Sequence, residues 1–419
     1  MAASVSRTEA QLLARDQPAQ PWHQLSVLVV DGRPPAASEL GRLIAQRIGY
    51  APRFRQKLAG TGLQAWVDDR GFNIAGHLHS VTLPSGTTIE GWLAEQLAVP
   101  LDRLHPLWDA TILTGLVGGS WALVVRAHPA LIDGADNVHL LHELLDEQPT
   151  PISADVPDWR PSEDEAAPGF AGLLRNVTDP LRAVREAAAG LGGLAEYGVR
   201  QVTTVPEPRH VAAVECPLAD LAAIARAVGC TVHDVIVALA TAGVRGWQVA
   251  GDKPLHDPVA LIPLAVDDGG TSALGCQVAP QYVQLPVTTI TARERLIAIA
   301  TLTQARIDSD RLVPVAQLTD LAGFPPPSTH AVAAATVTSG RPHQVLIANV
   351  PGPATPRWLG ERRVRALHAF ASTVDDQQVS VGVSSLDGRV TFAASAIAPL
   401  PTFARDLVDE LGVLRREVR

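Results

Sequence analysis

The residues best placed to do chemistry lie in the stretch HPALIDG, where His128, Asp133 and Gly134 fall within one compact segment. An imidazole titrates near pH 6.5, so a histidine can take or give a proton at neutrality. Two further groups stand out. His233 and Asp234 open an apolar segment, TVHDVIVALATAGVRGW, and Asn349 and Gly352 sit in NVPGP.

The elements around these residues follow from periodicity. Trp121, Leu123 and Val125 alternate with Ala122, Val124 and Arg126, the period of a strand leading into HPALIDG. Val138, Leu141, Leu144 and Leu145 recur at helical spacing just after it. A polar loop between a strand end and a helix start is a common place for chemistry in α/β proteins. In the second half Thr231 reads as the cap of a helix buried all round. Strands are expected at Gln24–Val30, His210–Glu215, Val259–Val266, Val278–Leu285 and Val345–Ala348. A hairpin is expected around Leu386-Asp387-Gly388. Helices are expected from Ser4 to Arg15, from Glu39 to Ile48 with Ser38 as N-cap, from Leu218 to Val228, from Thr291 to Asp308 and from Thr402 to Val418.

Several of these segments together resemble the bacterial wax ester synthase/diacylglycerol acyltransferase family. HPALIDG is similar to its HHxxxDG motif, HPLWD (Pro106, Leu107, Trp108) to its PLW motif, TVHDVIVA to its TVNDVVLA, and ANVPGP to its SNVPGP. The order and spacing agree along nearly the whole chain. HHxxxDG alone is shared with condensation domains and chloramphenicol-type acyltransferases, so the combination carries the specificity.

The resemblance implies an α/β (α+β) fold of two chloramphenicol-acetyltransferase-like domains joined by a helical linker, with the active site in a tunnel between them. It implies transfer of a fatty acyl group from coenzyme A to a long-chain alcohol or a diacylglycerol, the coenzyme A thioester being substrate and no cofactor being bound permanently. The second histidine of the motif would be the base, Asp133 and Gly134 would shape the loop, and Pro106, Leu107 and Trp108 would face substrate. Asp234, Asn349 and Gly352 would be structural.

Two positions depart from that pattern. Counting back from Asp133, the base position holds Pro129, which has no ionisable group and restricts His128 before it. The asparagine of TVND is His233. Three readings follow: a non-catalytic member that binds acyl-CoA or lipid, a transferase whose base is His233, or one in which a shifted loop presents His128. An acyltransferase of secondary metabolism served by a separate carrier protein is a further alternative.

Other clusters have a functional and a plain reading. Arg53, Arg55 and Lys57 could attract coenzyme A phosphates or form a solvated basic face. His139, His142 and Glu143 share a helix, but the order is not that of a zinc motif, and no metal is expected. His77 and His79 alternate as on a strand.

Composition bounds the rest. The chain has 419 residues, 47% hydrophobic and 18% charged, with net charge −9, which argues against nucleic acid as a partner. A proline- and acid-rich stretch, EQPTPISADVPDWRPSEDEAAP, marks a linker. The expected division is 1–147, a linker and amphipathic crossover helix over 148–205, and 206–419. The arginine-bearing face of Phe170–Val199 could touch a membrane or lipid droplet, or pack across the two domains. Three scattered cysteines and an N-terminus without an apolar core fit a cytoplasmic protein, peripheral to the inner membrane at most.

Overall fold

The computed structural model describes residues 3–60, 64–132, 140–161, 207–251, 254–267, 276–307, 342–350, 352–373 and 377–418. The linker helix expected within 170–199 therefore lies outside the described residues.

Fifteen strands are found among the described residues. The first half supplies β1 (Ala3–Ser4), β2 (Gln24–Val30), β3 (Gln56–Ala59), β4 (Ala65–Asp68), β5 (Leu78–Thr82), β6 (Trp108–Thr114) and β7 (Trp121–Ala127). The second supplies β8 (His210–Pro217), β9 (Val259–Asp267), β10 (Cys276–Gln284), β11 (Val345–Val350), β12 (Arg357–Leu359), β13 (Arg362–Ala371), β14 (Val379–Leu386) and β15 (Arg389–Ala396). The helices are α1 (Arg7–Arg15), α2 (Ala37–Arg47), α3 (Ile89–Ala98), α4 (Leu140–Glu143), α5 (Leu218–Val228), α6 (Val232–Ala250), α7 (Ala292–Ile307) and α8 (Phe403–Glu417).

Two six-stranded sheets organise the chain, in the orders β12-β13-β2-β7-β6-β5 and β10-β9-β11-β14-β15-β8, beside a small sheet β1-β4-β3. In the second sheet β9, β11 and β14 run parallel, and the other pairs are antiparallel. The first sheet is buried on both faces. Leu28, Val30, Leu123 and Val125 join a core beneath α1 and α2, while Leu25, Val27, Ala122 and Val124 join a second with Trp92, Leu93 and Leu97 of α3. That double burial explains why β2 shows seven consecutive buried residues.

β12 and β13 belong to the second half of the sequence but pair into the first sheet, β13 lying directly on β2. The expected division at residue 206 therefore does not partition the sheets, because 357–371 crosses back. Beyond Val364 the outer edge of β13 has no strand neighbour among the described residues, and side chains of the second sheet serve it instead. Ser384 Oγ and Thr391 Oγ1 reach the Leu367 carbonyl at 2.8 and 2.5 Å, and Ser395 Oγ donates to Ala371 O. Between them Gly382 lies so close to Ala369 O that any Cβ would collide with it. Absence of a side chain there lets β13 and β14 meet.

Local signals set most element ends. Ser6 and Glu9 form a capping box at α1, and Thr231 and Asp234 form another at α6. Gly229 ends α5 at φ +78°. Asp387 and Gly388, at φ +49° and +74°, make the two-residue turn of the β14–β15 hairpin. One expected cap differs: α2 begins at Ala37 after Ala36, with no side-chain cap, so Ser38 lies inside the first turn.

The junction at Gly382 is testable. Gly382→Ala should lower stability by about 1–3 kcal/mol, the usual cost of overpacking, or prevent folding. Gly41→Ala, whose Cβ would meet only Leu78 and Ile74 side chains at 3.5 and 3.8 Å, should be neutral or stabilising by up to about 1 kcal/mol. Urea denaturation of both variants checks this, and equal midpoints would show that the two strands do not need the close approach.

Candidate active site

β7 ends at Ala127, and the chain turns at once into a single 3-10 turn, Pro129–Ile132. Proline suits this place because the first helical residue has no internal use for an N–H. The turn packs against α1 and is closed from both sides. His128 N donates to Leu107 O at 2.9 Å, and Leu131 N to His128 O at 3.0 Å. Pro129, Ala130 and Leu131 are buried. Asp133, Gly134 and His139 lie outside the described residues, as does the first part of the helix expected from Val138.

His128 is 1% exposed, and its ring is occupied. Nδ1 accepts from Ala130 N at 3.0 Å, which leaves the proton on Nε2, and Nε2 faces Asp16 Oδ2 at 3.9 Å. Asp16 also accepts from Trp22 N at 2.8 Å and Arg103 Nη2 at 3.0 Å. His128 is thus turned toward α1 with no lone pair to offer. The reading in which it serves as base conflicts with this geometry.

Asp16 and its neighbour His23 were invisible to motif reasoning, since DQPAQPWH has no catalytic spacing. His23 is 1% exposed and Nε2 donates to Gln96 O at 3.1 Å. Burial, with Arg126 nearby, pushes it down to about 3, against a smaller raising effect of Asp16. Arg126 holds Asp109 through two bonds of 2.9 and 2.5 Å and reaches the carbonyls of Gln96 and Val99, tying α3 to the end of β7.

The PLW side chains prove structural. Leu107 and Trp108 are 1% and 2% exposed. Trp108 Nε1 donates to Phe54 O at 2.7 Å, and His77 stacks on its indole at 4.6 Å while bonding to Trp108 O at 2.7 Å. Pro106 and Trp108 border a cleft of about 380 Å³ that His105 and Asp69 also line. Instead of facing substrate broadly, the segment anchors His128 through Leu107 O.

Arg53 is not available to coenzyme A either. It is 9% exposed, pairs with Glu9 at 3.5 Å and stacks on Trp66 at 4.7 Å. Arg55 stacks on Trp159 at 4.5 Å, and burial lowers its pKa. Proline at 52 starts a 3-10 turn, so the alternation expected for Arg53, Arg55 and Lys57 is broken. His142 bonds to its neighbour Glu143 at 3.0 Å.

On the other side, His233 is 7% exposed at the start of α6. Its Nδ1 accepts from Asn349 Nδ2 at 3.0 Å, and Nε2 is buried without a partner among the described residues. Burial lowers its pKa, partly offset by Asp234. A ring in this setting is neutral at pH 7. With the amide as placed, Nε2 carries the proton and is a donor; a half-turn of the Asn349 amide would move the proton to Nδ1 and leave Nε2 a base. Asp234 closes the capping box and accepts from Thr303 Oγ1 at 2.5 Å, linking α6 to α7. Gly352 N donates to Ser385 Oγ at 2.9 Å, fixing NVPGP on β14. Asn349 therefore bonds His233 across from β11 to the start of α6.

His23 makes acid stability testable. Its folded pKa lies below the unfolded value of 6.5, so between about 6.5 and about 3 the unfolded chain binds the extra proton and stability falls with falling pH. Its contribution is fully present above pH 6.5. His23→Gln should flatten the pH dependence of the urea midpoint between pH 6.5 and 4, by up to about 1.4 kcal/mol per pH unit. An unchanged slope would remove His23 from the acid response.

Comparison with known proteins agrees with this architecture. The wax ester synthase/diacylglycerol acyltransferase catalytic domain matches residues 5–236, and the C-terminal domain of the same family matches 274–412. A Mycobacterium tuberculosis protein named as a diacylglycerol O-acyltransferase is 25% identical, over 93% of this chain and 90% of that one. Among solved structures, the wax ester synthase/diacylglycerol acyltransferase from Marinobacter aquaeolei VT8 superposes with a TM-score of 0.67 at 21% identity, covering 99% of this chain and all of that one (100%). The trichothecene 15-O-acetyltransferase of Fusarium sporotrichioides superposes at 0.55 with 10% identity, covering 98% and 94%. The first condensation domain of the CDA synthetase does so at 0.54 with 13%, covering 100% and 96%. The fold is the two-domain α/β architecture shared by these acyltransferases and condensation domains, and the chain belongs to the wax ester synthase/diacylglycerol acyltransferase family.

Proposed function

We propose that the chain transfers a fatty acyl group from a coenzyme A thioester to the hydroxyl of a long-chain alcohol or a diacylglycerol, and does so slowly. The observation that carries this is the match to both domains of one acyltransferase family along most of the sequence. In the reaction the acceptor oxygen attacks the thioester carbonyl, its proton leaves to a base, and the carbon–sulfur bond breaks to release the thiol. Pro129 stands at the motif's base position and cannot take that proton. His128 is turned to Asp16. His233 is the remaining histidine of the expected site, with a buried Nε2 that has no partner among the described residues. A lowered pKa keeps that ring neutral, as a base requires.

A second reading, binding of acyl-CoA or lipid without transfer, is favoured by one detail: with Asn349 Nδ2 donating to Nδ1, His233 Nε2 is a donor. Both readings keep the chain in the cytoplasm, at lipid droplets or the inner membrane where its substrates would be. Among the described residues no single helix is long and apolar enough to cross a membrane.

Thiol release from palmitoyl-CoA, with hexadecanol or a diacylglycerol as acceptor, separates the two. Slow transfer based on His233 predicts measurable turnover that falls about 10²–10⁴-fold in His233→Ala, the usual worth of a general base. Pro129→His should raise turnover. If the parent turns over and His233→Ala matches it, His233 is not the base. A silent parent awakened by Pro129→His would favour the non-catalytic reading and refute His233 as a working base.

A further inference from the structure

A cavity of about 960 Å³ lies between the two sheets, at the far end of β7 from the histidine loop. It is lined by the β6–β7 hairpin and by β2 near Val29, which pairs with Ala122 at the beginning of β7. The six residue steps from Trp121 to Ala127 put it roughly 20 Å from HPALIDG. No motif of the sequence points to it.

Its wall is apolar, with Val27, Val29, Leu93, Leu116 and Phe370. Its size falls at the upper end of ordinary small-molecule sites, about 300–1,000 Å³. Against this wall stand two basic side chains from β13. The register of β13 on β2 slips between Val364 and Ala366, so Arg365 has no partner on β2. Val364 and Leu367, three apart, both reach the core on one face, which places the bulge between them. The bulge changes the phase of the strand, so Arg365 joins the even-numbered His368 and Phe370 along the cavity. Arg365 makes no ion pair among the described residues, and a bulge that re-aims one unpaired cation beside a cavity suits an anion.

His368 provides the second contact. It is 9% exposed, yet Nδ1 has no hydrogen-bond partner among the described residues. Its Nε2 faces Glu215 Oε1 of β8 at 3.6 Å, and Arg389 Nε holds the other oxygen, Oε2, at 2.8 Å. Glu215 is therefore already matched by two basic groups. Of the acidic residues lining the cavity this leaves Glu90, in the first turn of α3, where a helix N-terminus favours a carboxylate.

We propose that this cavity binds a single-chain amphiphile with a carboxylate head, a long-chain fatty acid. Arg365 and an N–H at His368 Nδ1 donate to the carboxylate, and the hydrocarbon lies along Val27, Val29, Leu93 and Phe370. The site is separate from the histidine loop and does not depend on whether that loop turns over.

Equilibrium dialysis of the full chain against radiolabelled hexadecanoate, below its micellar concentration, tests this. Arg365→Gln, an exposed position that should fold normally, is expected to weaken binding at least tenfold. His368→Gln, which can still reach Glu215 but has no Nδ1, is expected to do the same. Hexadecanol should bind at least tenfold more weakly than hexadecanoate, and hexadecyl phosphate should compete less well. Hexadecanoate binding retained in both variants, with unchanged melting temperatures, would place the ligand elsewhere and overturn the proposal. Equal binding of hexadecanol, or stronger binding of the phosphate, would overturn the carboxylate assignment.

Discussion

The two halves of this chain are held together by the outer carbonyl edge of one strand. β13 pairs with β2 on one side, and on the other its carbonyls at Leu367 and Ala371 meet hydroxyls of Ser384, Thr391 and Ser395. An unpaired sheet edge costs its polar groups their partners and invites wrong pairing. Here side chains from a second sheet satisfy those groups, and Gly382 removes the one side chain that would hold the sheets apart. Everything between the sheets, including the cavity beside His368, is spaced by that contact.

The same economy shapes the histidine loop. As the chain leaves β7 it buries its backbone at once, and the amides of His128, Ala130 and Leu131 are paired with Leu107 O, the His128 ring and His128 O. Proline fits such a turn because it brings no amide hydrogen to satisfy. Pro129, which has no ionisable group, is thus a residue that this turn accommodates.

Much of the fold was legible because periodicity and caps are local. β2 and α5 were bounded to the residue, Thr231 and Gly229 marked real helix ends, and Asp387-Gly388 marked a real hairpin. What escaped was non-local. Nothing near Arg362 announces that its strand will pair with β2, more than three hundred residues earlier in the chain, so the division at residue 206 came out too simple. Arg53 could be read as a contact for coenzyme A phosphates or as a solvated charge, yet it is buried, paired with Glu9 and stacked on Trp66. Leu107 and Trp108 were expected to face substrate, but both are buried, Leu107 O taking the His128 amide and Trp108 Nε1 bonding Phe54 O. Motif reading locates residues; which way they face depends on partners far away in sequence.

That distinction also separates the two places where this molecule could meet lipid. The histidine loop is recognised from its residues. The β13 cavity has no motif, and its case rests on geometry alone: a bulge that sets the exposed Arg365 at the cavity's edge and a buried imidazole with one nitrogen facing Glu215 and the other without a partner among the described residues. A buried polar atom left without a partner is disfavoured by about 1–3 kcal/mol. A bulge likewise interrupts a ladder that would otherwise be continuous. Both features occur on one strand, on one face and beside one cavity. A ligand that accepts hydrogen bonds from both side chains would offset both costs at once.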